Sequence, residues 1–162
     1  MNVYEYVFHS AEGVRMPLAF WEAQPLLLVN SASECGYTPQ LRKLQNLYAE
    51  YRGASLVVIA LPCNDFGAQE PGAEDDFLPL YRDEYQVTFP ITRKIHVRGL
   101  DAHPLFIDLL DTHGQDILPK WNFTKYLFDS DGQLVEHWPA GVEPDDPTLT
   151  HQVERQLQSW VF

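Results

Sequence analysis

The 162-residue chain has little cysteine and little positive charge, and each shortage excludes a class of function. Its two cysteines, Cys35 and Cys63, are too few for a disulfide framework. Their spacing matches neither a C-x-x-C pair nor a four-ligand zinc site. The 11 basic residues stand against 23 acidic ones, and the resulting net charge of −12 repels nucleic acid phosphates and anionic lipid surfaces. We therefore expect no nucleic acid partner and no membrane partner.

The sequence also lacks a long hydrophobic run. No apolar stretch is long enough to span a bilayer, and residues 1–6 have neither the basic start nor the apolar run of a signal peptide. A cytoplasmic protein is predicted. Hydrophobic residues make up 45% of the chain and aromatic residues 13%, which is too much for a disordered protein. We predict a single globular domain over residues 1–162.

Apolar periodicity predicts an α/β fold with a central mixed sheet flanked by helices. Two continuous apolar runs, at 26–30 and 56–61, have the pattern of buried strands. Between them, Thr38 is predicted as the N-cap of a helix that runs to about Arg52. Two hairpins are predicted, one within residues 3–21 and one of strands 125–128 and 134–138. Two further helices are predicted in the middle of the chain, one that carries Pro79 and a short one opened by His103-Pro104. A last helix is predicted to be capped by Asp146, with an apolar face of Leu149, Val153, Leu157 and Trp160.

Cys35 occupies a position that favours a reactive thiolate. It follows a predicted buried strand and precedes a predicted helix, so its sulfur should lie near the exposed amides of a helix N-terminus. The partial positive charge there stabilises the thiolate, which is the nucleophilic form of cysteine. The alternative reading is a buried apolar filler, but the small and polar residues around Cys35 favour the reactive one. Glu34 is contrary evidence, since a carboxylate that points at the sulfur would raise the pKa of the thiol.

Cys63 is interpreted differently, because it ends a predicted core strand behind Pro62. Packing or backbone support is the expected role for such a residue. A metal site built from Cys35, Cys63 and a histidine has no ligand pair at a recognised spacing. Disulfide exchange of the thioredoxin type is also disfavoured, because residues 35–38 contain only one cysteine.

Three segments resemble the signatures of the glutathione peroxidase family. Residues 29–40 (VNSASECGYTPQ) resemble its active-site segment, residues 61–72 (LPCNDFGAQEPG) its second signature, and residues 121–127 (WNFTKYL) its third. They occur in the family's order, and the resemblance runs from about Leu26 to the end of the chain. It implies a thioredoxin-like fold and a peroxidase that reduces hydrogen peroxide or organic hydroperoxides with a thiol.

The resemblance also implies a catalytic tetrad of Cys35, Gln69, Trp121 and Asn122, with no cofactor and no metal. In this reading the Cys35 thiolate attacks the peroxide and becomes a sulfenic acid. The two amides and the indole N–H are neutral donors that can bind the sulfur and orient the peroxide. Without the family, Trp121 would more often be a core residue, and Gln69 and Asn122 would more often be polar loop residues.

The chain departs from the family pattern at the position of the resolving cysteine. Members reduced by thioredoxin often carry that cysteine in the second helix, where this chain has Arg82. The simpler path is therefore attack by an external thiol, with glutathione or thioredoxin as the reductant. The alternative function is a peroxide-oxidised redox sensor or interaction protein that turns over slowly.

Two further departures concern charge and assembly. Glu34 and Asp65 predict a more negative surround for the sulfur than in many relatives. The acidity of the chain disfavours anionic glutathione unless a basic patch compensates, the candidates being Arg42, Lys43 and Lys120. The short segment before Trp121 resembles members without the insertion associated with tetramers, so a monomer or weak dimer is expected.

Overall fold

The computed structural model describes the backbone of residues 1–161 and the side chains of residues 1–157. The chain begins with an antiparallel hairpin of β1 (Val7–His9) and β2 (Arg15–Pro17). Short 3-10 turns at Val3–Glu5 and Leu18–Trp21 flank it. The predicted N-terminal hairpin is confirmed, although its strands are shorter than the predicted segment.

A four-stranded mixed sheet forms the centre of the molecule. Its strands are β3 (Leu26–Ser31), β4 (Val57–Pro62), β5 (Lys125–Phe128) and β6 (Leu134–Trp138), in the order β4-β3-β5-β6. β3 pairs parallel with β4, whereas β5 is antiparallel to both β3 and β6. All residues of β3 and β4 are buried, as their continuous apolar runs predict.

Helices cover both faces of the sheet. They are α1 (Gln40–Tyr51), α2 (Glu74–Pro79), α3 (Pro104–His113) and α4 (Pro147–Val161). Alternate residues of β3 face opposite sides, so Leu27 packs in a cluster with α1 and α4, while Leu28 packs in another with α3 and the hairpin. The predicted α/β architecture, a mixed sheet between helices, is confirmed.

The predicted start of α1 is wrong by one residue. The helix begins at Gln40 after Pro39, with no side-chain cap. Thr38 instead closes the preceding loop, because its Oγ1 accepts a hydrogen bond from the Cys35 N–H at 3.0 Å and donates to the Ala32 carbonyl at 2.8 Å. The cap-like sequence thus serves the Cys35 loop rather than the helix.

The other predicted helices are present. The one that carries Pro79 is a single α segment, α2, followed by a π-helical turn at Leu80–Glu84. Asp146 caps α4, since its Oδ1 accepts from the Thr148 N–H at 2.8 Å. The predicted apolar face of α4 is buried as far as Leu157, and the Trp160 side chain lies outside the described residues. Within residues 1–161, no helix has the length and apolar character needed to cross a membrane.

Candidate active site

Cys35 lies in the loop between β3 and α1, where it is almost entirely buried. The backbone N–H of Tyr37 points at its sulfur, with 3.4 Å between N and Sγ. An N–H donor is a partner that favours an anionic sulfur. The Thr38 hydroxyl holds the Cys35 backbone from the other side. The sulfur therefore lies in the turn that leads into α1 and is bonded by one N–H of that turn rather than by the amides of the helix.

Gln69 is held beside this loop by its backbone and by the side chain of Asn122. The carbonyl of Gln69 accepts a hydrogen bond from the Glu34 N–H at 3.0 Å, one residue before Cys35. Its side-chain Oε1 accepts from Asn122 Nδ2 at 3.0 Å. The second signature segment is thus bonded both to the loop of the first and to the segment of the third.

Asn30 at the end of β3 fixes the third segment. Its Nδ2 donates to the Trp121 carbonyl at 3.1 Å, and its Oδ1 accepts from the Thr124 N–H at 3.1 Å. The Phe123 N–H also donates to the Asn30 carbonyl. Residues 121–124 are therefore anchored to the strand that leads into the Cys35 loop.

The amide of Asn122 has a defined orientation. Its Nδ2 donates to Gln69 Oε1 and, at 3.3 Å, to the Phe66 carbonyl, so both donor hydrogens are used. Because Asn122 engages the oxygen of the Gln69 amide, the Gln69 Nε2 donors stay available, and they have no hydrogen-bond partner among the described side chains. Asn122 Oδ1 is buried, also with no partner in residues 1–157.

Trp121 lies at the edge of the site and is 36% exposed. Its ring approaches Phe66, with 6.1 Å between the ring centroids. A Cβ on Gly67 would lie 2.9 Å from the indole, and Gly67 has a φ of +67°, so glycine is required there on both counts. Trp121 also borders a cavity of about 340 Å³, which Lys120 and His137 line as well. A cavity of that size suits a small molecule.

The two acidic residues expected near the sulfur make other contacts. Glu34 is exposed, and its described contact with the site is the backbone bond to Gln69. Asp65 Oδ1 pairs with His96 Nδ1 at 2.7 Å, and its Oδ2 accepts from the Val97 N–H at 2.8 Å. Burial alone would raise the pKa of Asp65, but these hydrogen bonds lower it overall. The carboxylate of Asp65 is thus engaged by residues 96–97 rather than by the Cys35 loop.

Most of the candidate basic residues already have partners. Lys43 pairs with Asp145 at 3.3 Å, and the Arg42 guanidinium lies 5.3 Å from the centre of the Tyr85 ring. Lys120 forms no ion pair among the described residues and lines the cavity beside Trp121. At the position of the family's resolving cysteine, Arg82 forms an ion pair with Glu12. Within residues 1–157 there is no group of three or more His, Cys, Asp and Glu residues that could hold a metal ion.

Cys63 has the surroundings of a structural residue. It is fully buried, and its Sγ accepts a hydrogen bond from the Asp65 N–H at 3.4 Å. Burial raises the pKa of the Cys63 thiol to about 12. The structure agrees with the packing and backbone role predicted for this cysteine.

Cys63 is therefore expected to resist alkylation while the protein is folded. With a pKa of about 12, roughly one molecule in 10⁴ carries the thiolate at pH 8. Iodoacetamide at pH 8 should label Cys35 alone, as read by mass spectrometry of the tryptic peptides. Labelling in urea provides the control, because both cysteines should then react. Equal labelling of both cysteines in the folded protein would contradict the assignment.

Sequence reasoning missed Lys125, a fully buried lysine in β5. Its Nζ donates to the carbonyls of Ala140 at 3.1 Å and Val142 at 2.6 Å. The Ala140 carbonyl also accepts from Gln40 Nε2, at the start of α1. Burial lowers the pKa of Lys125 to about 7, with Glu143 opposing the shift. The sequence signal that could have indicated a buried lysine is its place beside the apolar residues of a predicted strand.

Replacing Lys125 with methionine should change how stability depends on pH. Between a folded pKa of about 7 and an ordinary value of 10.5, the unfolded chain holds a proton that the folded protein lacks, so wild-type stability rises with pH. Relative to Lys125→Met, the wild-type free energy of unfolding should rise by up to about 1.4 kcal/mol per unit between about pH 7 and 8.5. Urea unfolding at several pH values measures the difference.

The matched control is Lys43→Met, which removes an exposed lysine. Its stability should follow that of the wild type in parallel across this pH range. Parallel curves for Lys125→Met would contradict the proton linkage.

The sequence is similar to glutathione peroxidases over most of its length. The sequence model of the glutathione peroxidase family matches residues 3–110. The glutathione peroxidase homolog BsaA of Staphylococcus epidermidis is 38% identical over 158 residues, which cover 96% of this chain and 99% of that protein. A hydroperoxy fatty acid reductase, gpx1, of Synechocystis is 37% identical, over 96% of each chain.

Solved structures give the same result. The structure of T. cruzi GPX1 aligns with a TM-score of 0.77 and 31% identity, covering 98% of this chain and 97% of that one. A thioredoxin-family thiol:disulfide interchange protein of Chlorobium tepidum aligns with a TM-score of 0.67 at 11% identity, covering 97% of each chain, and shows the fold alone. The thioredoxin-like fold predicted from the sequence is confirmed.

Proposed function

Because this chain belongs to the glutathione peroxidase family and is a peroxidase, we propose that it reduces hydroperoxides through a sulfenic acid on Cys35, with an external thiol as reductant. The observation that carries the proposal is the set of hydrogen bonds that joins Gln69 to the Cys35 loop and to Asn122. Hydrogen peroxide and organic hydroperoxides are the proposed substrates. The name of the Synechocystis relative, a hydroperoxy fatty acid reductase, supports including fatty acid hydroperoxides among them.

In the proposed first step, the Cys35 thiolate attacks the terminal oxygen of the peroxide. A sulfur–oxygen bond forms, the oxygen–oxygen bond breaks, and the leaving alkoxide takes a proton to become an alcohol, or water from hydrogen peroxide. The sulfur is oxidised to a sulfenic acid and the peroxide is reduced. The Tyr37 N–H, at 3.4 Å from the sulfur, stabilises the attacking anion before the step.

The proposed tetrad residues act through hydrogen bonds. The Nε2 of Gln69 and the indole N–H of Trp121 are the donors for the sulfur and for the negative charge that develops on the leaving oxygen. Asn122 holds the oxygen end of the Gln69 amide, so that the donor end is the one left available. We assign the roles of Gln69 and Asn122 from their hydrogen bonds and from the family resemblance, and that of Trp121 from the resemblance.

Recycling requires two equivalents of thiol. The first thiol attacks the sulfur of the Cys35 sulfenic acid, which releases water and forms a mixed disulfide. The second attacks the reductant's sulfur in that disulfide, which breaks the bond to Cys35, releases the Cys35 thiolate and leaves the two reductant sulfurs joined as a disulfide. Glutathione and thioredoxin are the proposed reductants, because Arg82 occupies the position of the resolving cysteine and Cys63 is fully buried.

A redox sensor or interaction protein with slow turnover is the second candidate, and the missing resolving cysteine is the observation that favours it. A coupled assay that follows NADPH oxidation tests the two functions, with glutathione and glutathione reductase in one arm and thioredoxin and its reductase in the other. Sustained peroxide consumption with either system supports the peroxidase. Oxidation of one equivalent of Cys35 without recycling in any arm would overturn the peroxidase proposal.

Three further statements stay predictions. We propose one peroxidase domain over residues 1–162, a cytoplasmic location, and a monomer or weak dimer that binds neither nucleic acid nor membrane.

A further inference from the structure

Glu70, the residue after Gln69, is fully buried and hydrogen-bonded at every polar group. Its Oε1 accepts from the Ser33 hydroxyl and its Oε2 from the Tyr81 hydroxyl, the latter at 2.7 Å. Its N–H donates to Asn64 Oδ1 at 3.0 Å, and its carbonyl accepts from Lys94 Nζ at 3.0 Å. Four separate segments of the chain therefore meet at one residue.

The directions of these bonds suit an ionised carboxylate. Tyr81 has one hydroxyl hydrogen and gives it to Glu70, so Ser31 Oγ donates to the Tyr81 oxygen at 2.8 Å. Each carboxylate oxygen of Glu70 then accepts a hydrogen bond and neither donates one. Burial raises the pKa of Glu70, while Ser33, Tyr81 and the nearby Lys94 ammonium oppose that rise. Two titratable groups act on the Tyr81 hydroxyl, the Glu70 carboxylate and the Cys63 thiol.

Glu70 also links two loops of the proposed site, the one that contains Cys35 and the one that contains Gln69. Ser33 binds Glu70, and the next residue, Glu34, binds Gln69 through its N–H. The residue after that is Cys35. Two consecutive hydrogen bonds between the loops thus set how the Cys35 loop lies against Gln69.

We propose that Glu70 is a positioning residue, whose buried carboxylate, held by Ser33 and Tyr81, keeps the Cys35 loop and Gln69 in the relative placement that peroxide reduction requires. The inference rests on the proposed function, because it assigns Glu70 a part in the same reaction. Glu70 acts through its neighbours and is not assigned a contact with the peroxide.

The experiment compares two reactions of Cys35 in the same protein. Oxidation by hydrogen peroxide and alkylation by iodoacetamide both consume the thiolate, so the ratio of their rate constants cancels the thiolate fraction. Only peroxide reduction also needs a hydrogen-bond donor in place. Glu70→Gln and Tyr81→Phe should each lower the ratio by about tenfold or more.

Tyr126→Phe is the matched control. Tyr126 is also a fully buried tyrosine with a single hydroxyl donor bond, at 2.6 Å to the Ile117 carbonyl, and it has no bond to the Cys35 loop. Tyr126→Phe removes one buried hydrogen bond, whereas Tyr81→Phe removes two, the bond to Glu70 and the bond from Ser31. Tyr126→Phe therefore controls for the loss of a buried tyrosine hydroxyl away from the Cys35 loop. The ratio should stay at the wild-type value in Tyr126→Phe. Ser33→Ala removes the other donor to Glu70 without altering a buried ring and should act like Glu70→Gln.

The pH dependence gives a second readout. Protonation turns one Glu70 oxygen into a hydroxyl, which is a donor and a weaker acceptor than a carboxylate oxygen. The wild-type ratio should therefore fall as the pH drops through the raised pKa of Glu70. At low pH it should approach the ratio of Glu70→Gln, which should itself be independent of pH.

Three results would overturn the inference. An unchanged ratio in Glu70→Gln and Tyr81→Phe would overturn it while leaving the peroxidase proposal standing. An equal fall in Tyr126→Phe would do the same, because it would show a general loss of packing. Failure of the wild-type protein to lose its Cys35 thiol to peroxide would overturn the proposed function and this inference together.

Discussion

Cys35→Ser is expected to lower the rate of peroxide reduction at least about 10³-fold, because it removes the nucleophile. A serine hydroxyl in the same loop is a far weaker nucleophile than a thiolate and cannot form a sulfenic acid. The surrounding hydrogen bonds of the Cys35 backbone to Thr38 do not involve the sulfur, so the fold should be retained. Peroxide loss measured with dithiothreitol as a generic reductant tests this without assuming the physiological thiol.

Cys63→Ser is the matched control for that prediction. The substitution is the same, and serine Oγ can still accept the hydrogen bond that the Asp65 N–H gives to Cys63. Because Cys63 is fully buried, with a pKa of about 12, this variant should keep most of the activity. Loss of activity in Cys63→Ser with full activity in Cys35→Ser would exchange the roles assigned to the two cysteines.

Gln69→Ala should lower the rate constant for peroxide reduction by about 10²-fold. The substitution removes the Nε2 donor that Asn122 leaves available, while the backbone bond between Glu34 and residue 69 stays in place. The variant also leaves the Asn122 Nδ2 with the Phe66 carbonyl as its remaining acceptor. Stopped-flow oxidation of the reduced protein isolates this step from recycling by thiol.

Gln45→Ala controls for the loss of a hydrogen-bonded glutamine elsewhere. Gln45 Nε2 donates to Thr88 Oγ1 at 2.8 Å, and both residues lie outside the three signature segments. Its rate constant should match that of the wild type. Alkylation of Cys35 by iodoacetamide should fall much less than peroxide reduction in Gln69→Ala, since only peroxide reduction also needs this donor at the leaving oxygen. A parallel loss in both reactions would show that Gln69 maintains the thiolate rather than the peroxide complex.

The sequence predicted the strands of the C-terminal hairpin to the residue, at Lys125–Phe128 and Leu134–Trp138. A turn signal with glycine lies between two short runs there, and Gly132 has the positive φ that the turn needs. Local chemistry determines such an element. The start of α1 was missed for the opposite reason, because Thr38 bonds to Cys35 and Ala32 rather than to the helix that follows it.

The membership of the proposed site stays a prediction from the family resemblance, whereas the hydrogen bonds around it are visible only in the structure. Of the four residues named from the family resemblance, Gln69 and Asn122 are hydrogen-bonded to each other, and Asn30, far away in the sequence, binds the backbone of Trp121. The spacing of apolar residues along the sequence does not predict hydrogen bonds between such distant residues. Glu70 and Lys125 were missed because charged side chains are expected at the surface, and only the fold shows that both are fully buried with partners.

The most direct test of the proposed chemistry is to add one equivalent of hydrogen peroxide to the reduced protein in the presence of dimedone and to locate the adduct by mass spectrometry. We predict that one thiol is lost per peroxide and that the adduct is on the peptide that contains Cys35. No adduct, or an adduct confined to the peptide that contains Cys63, would contradict the central claim that Cys35 is the peroxide-reducing nucleophile.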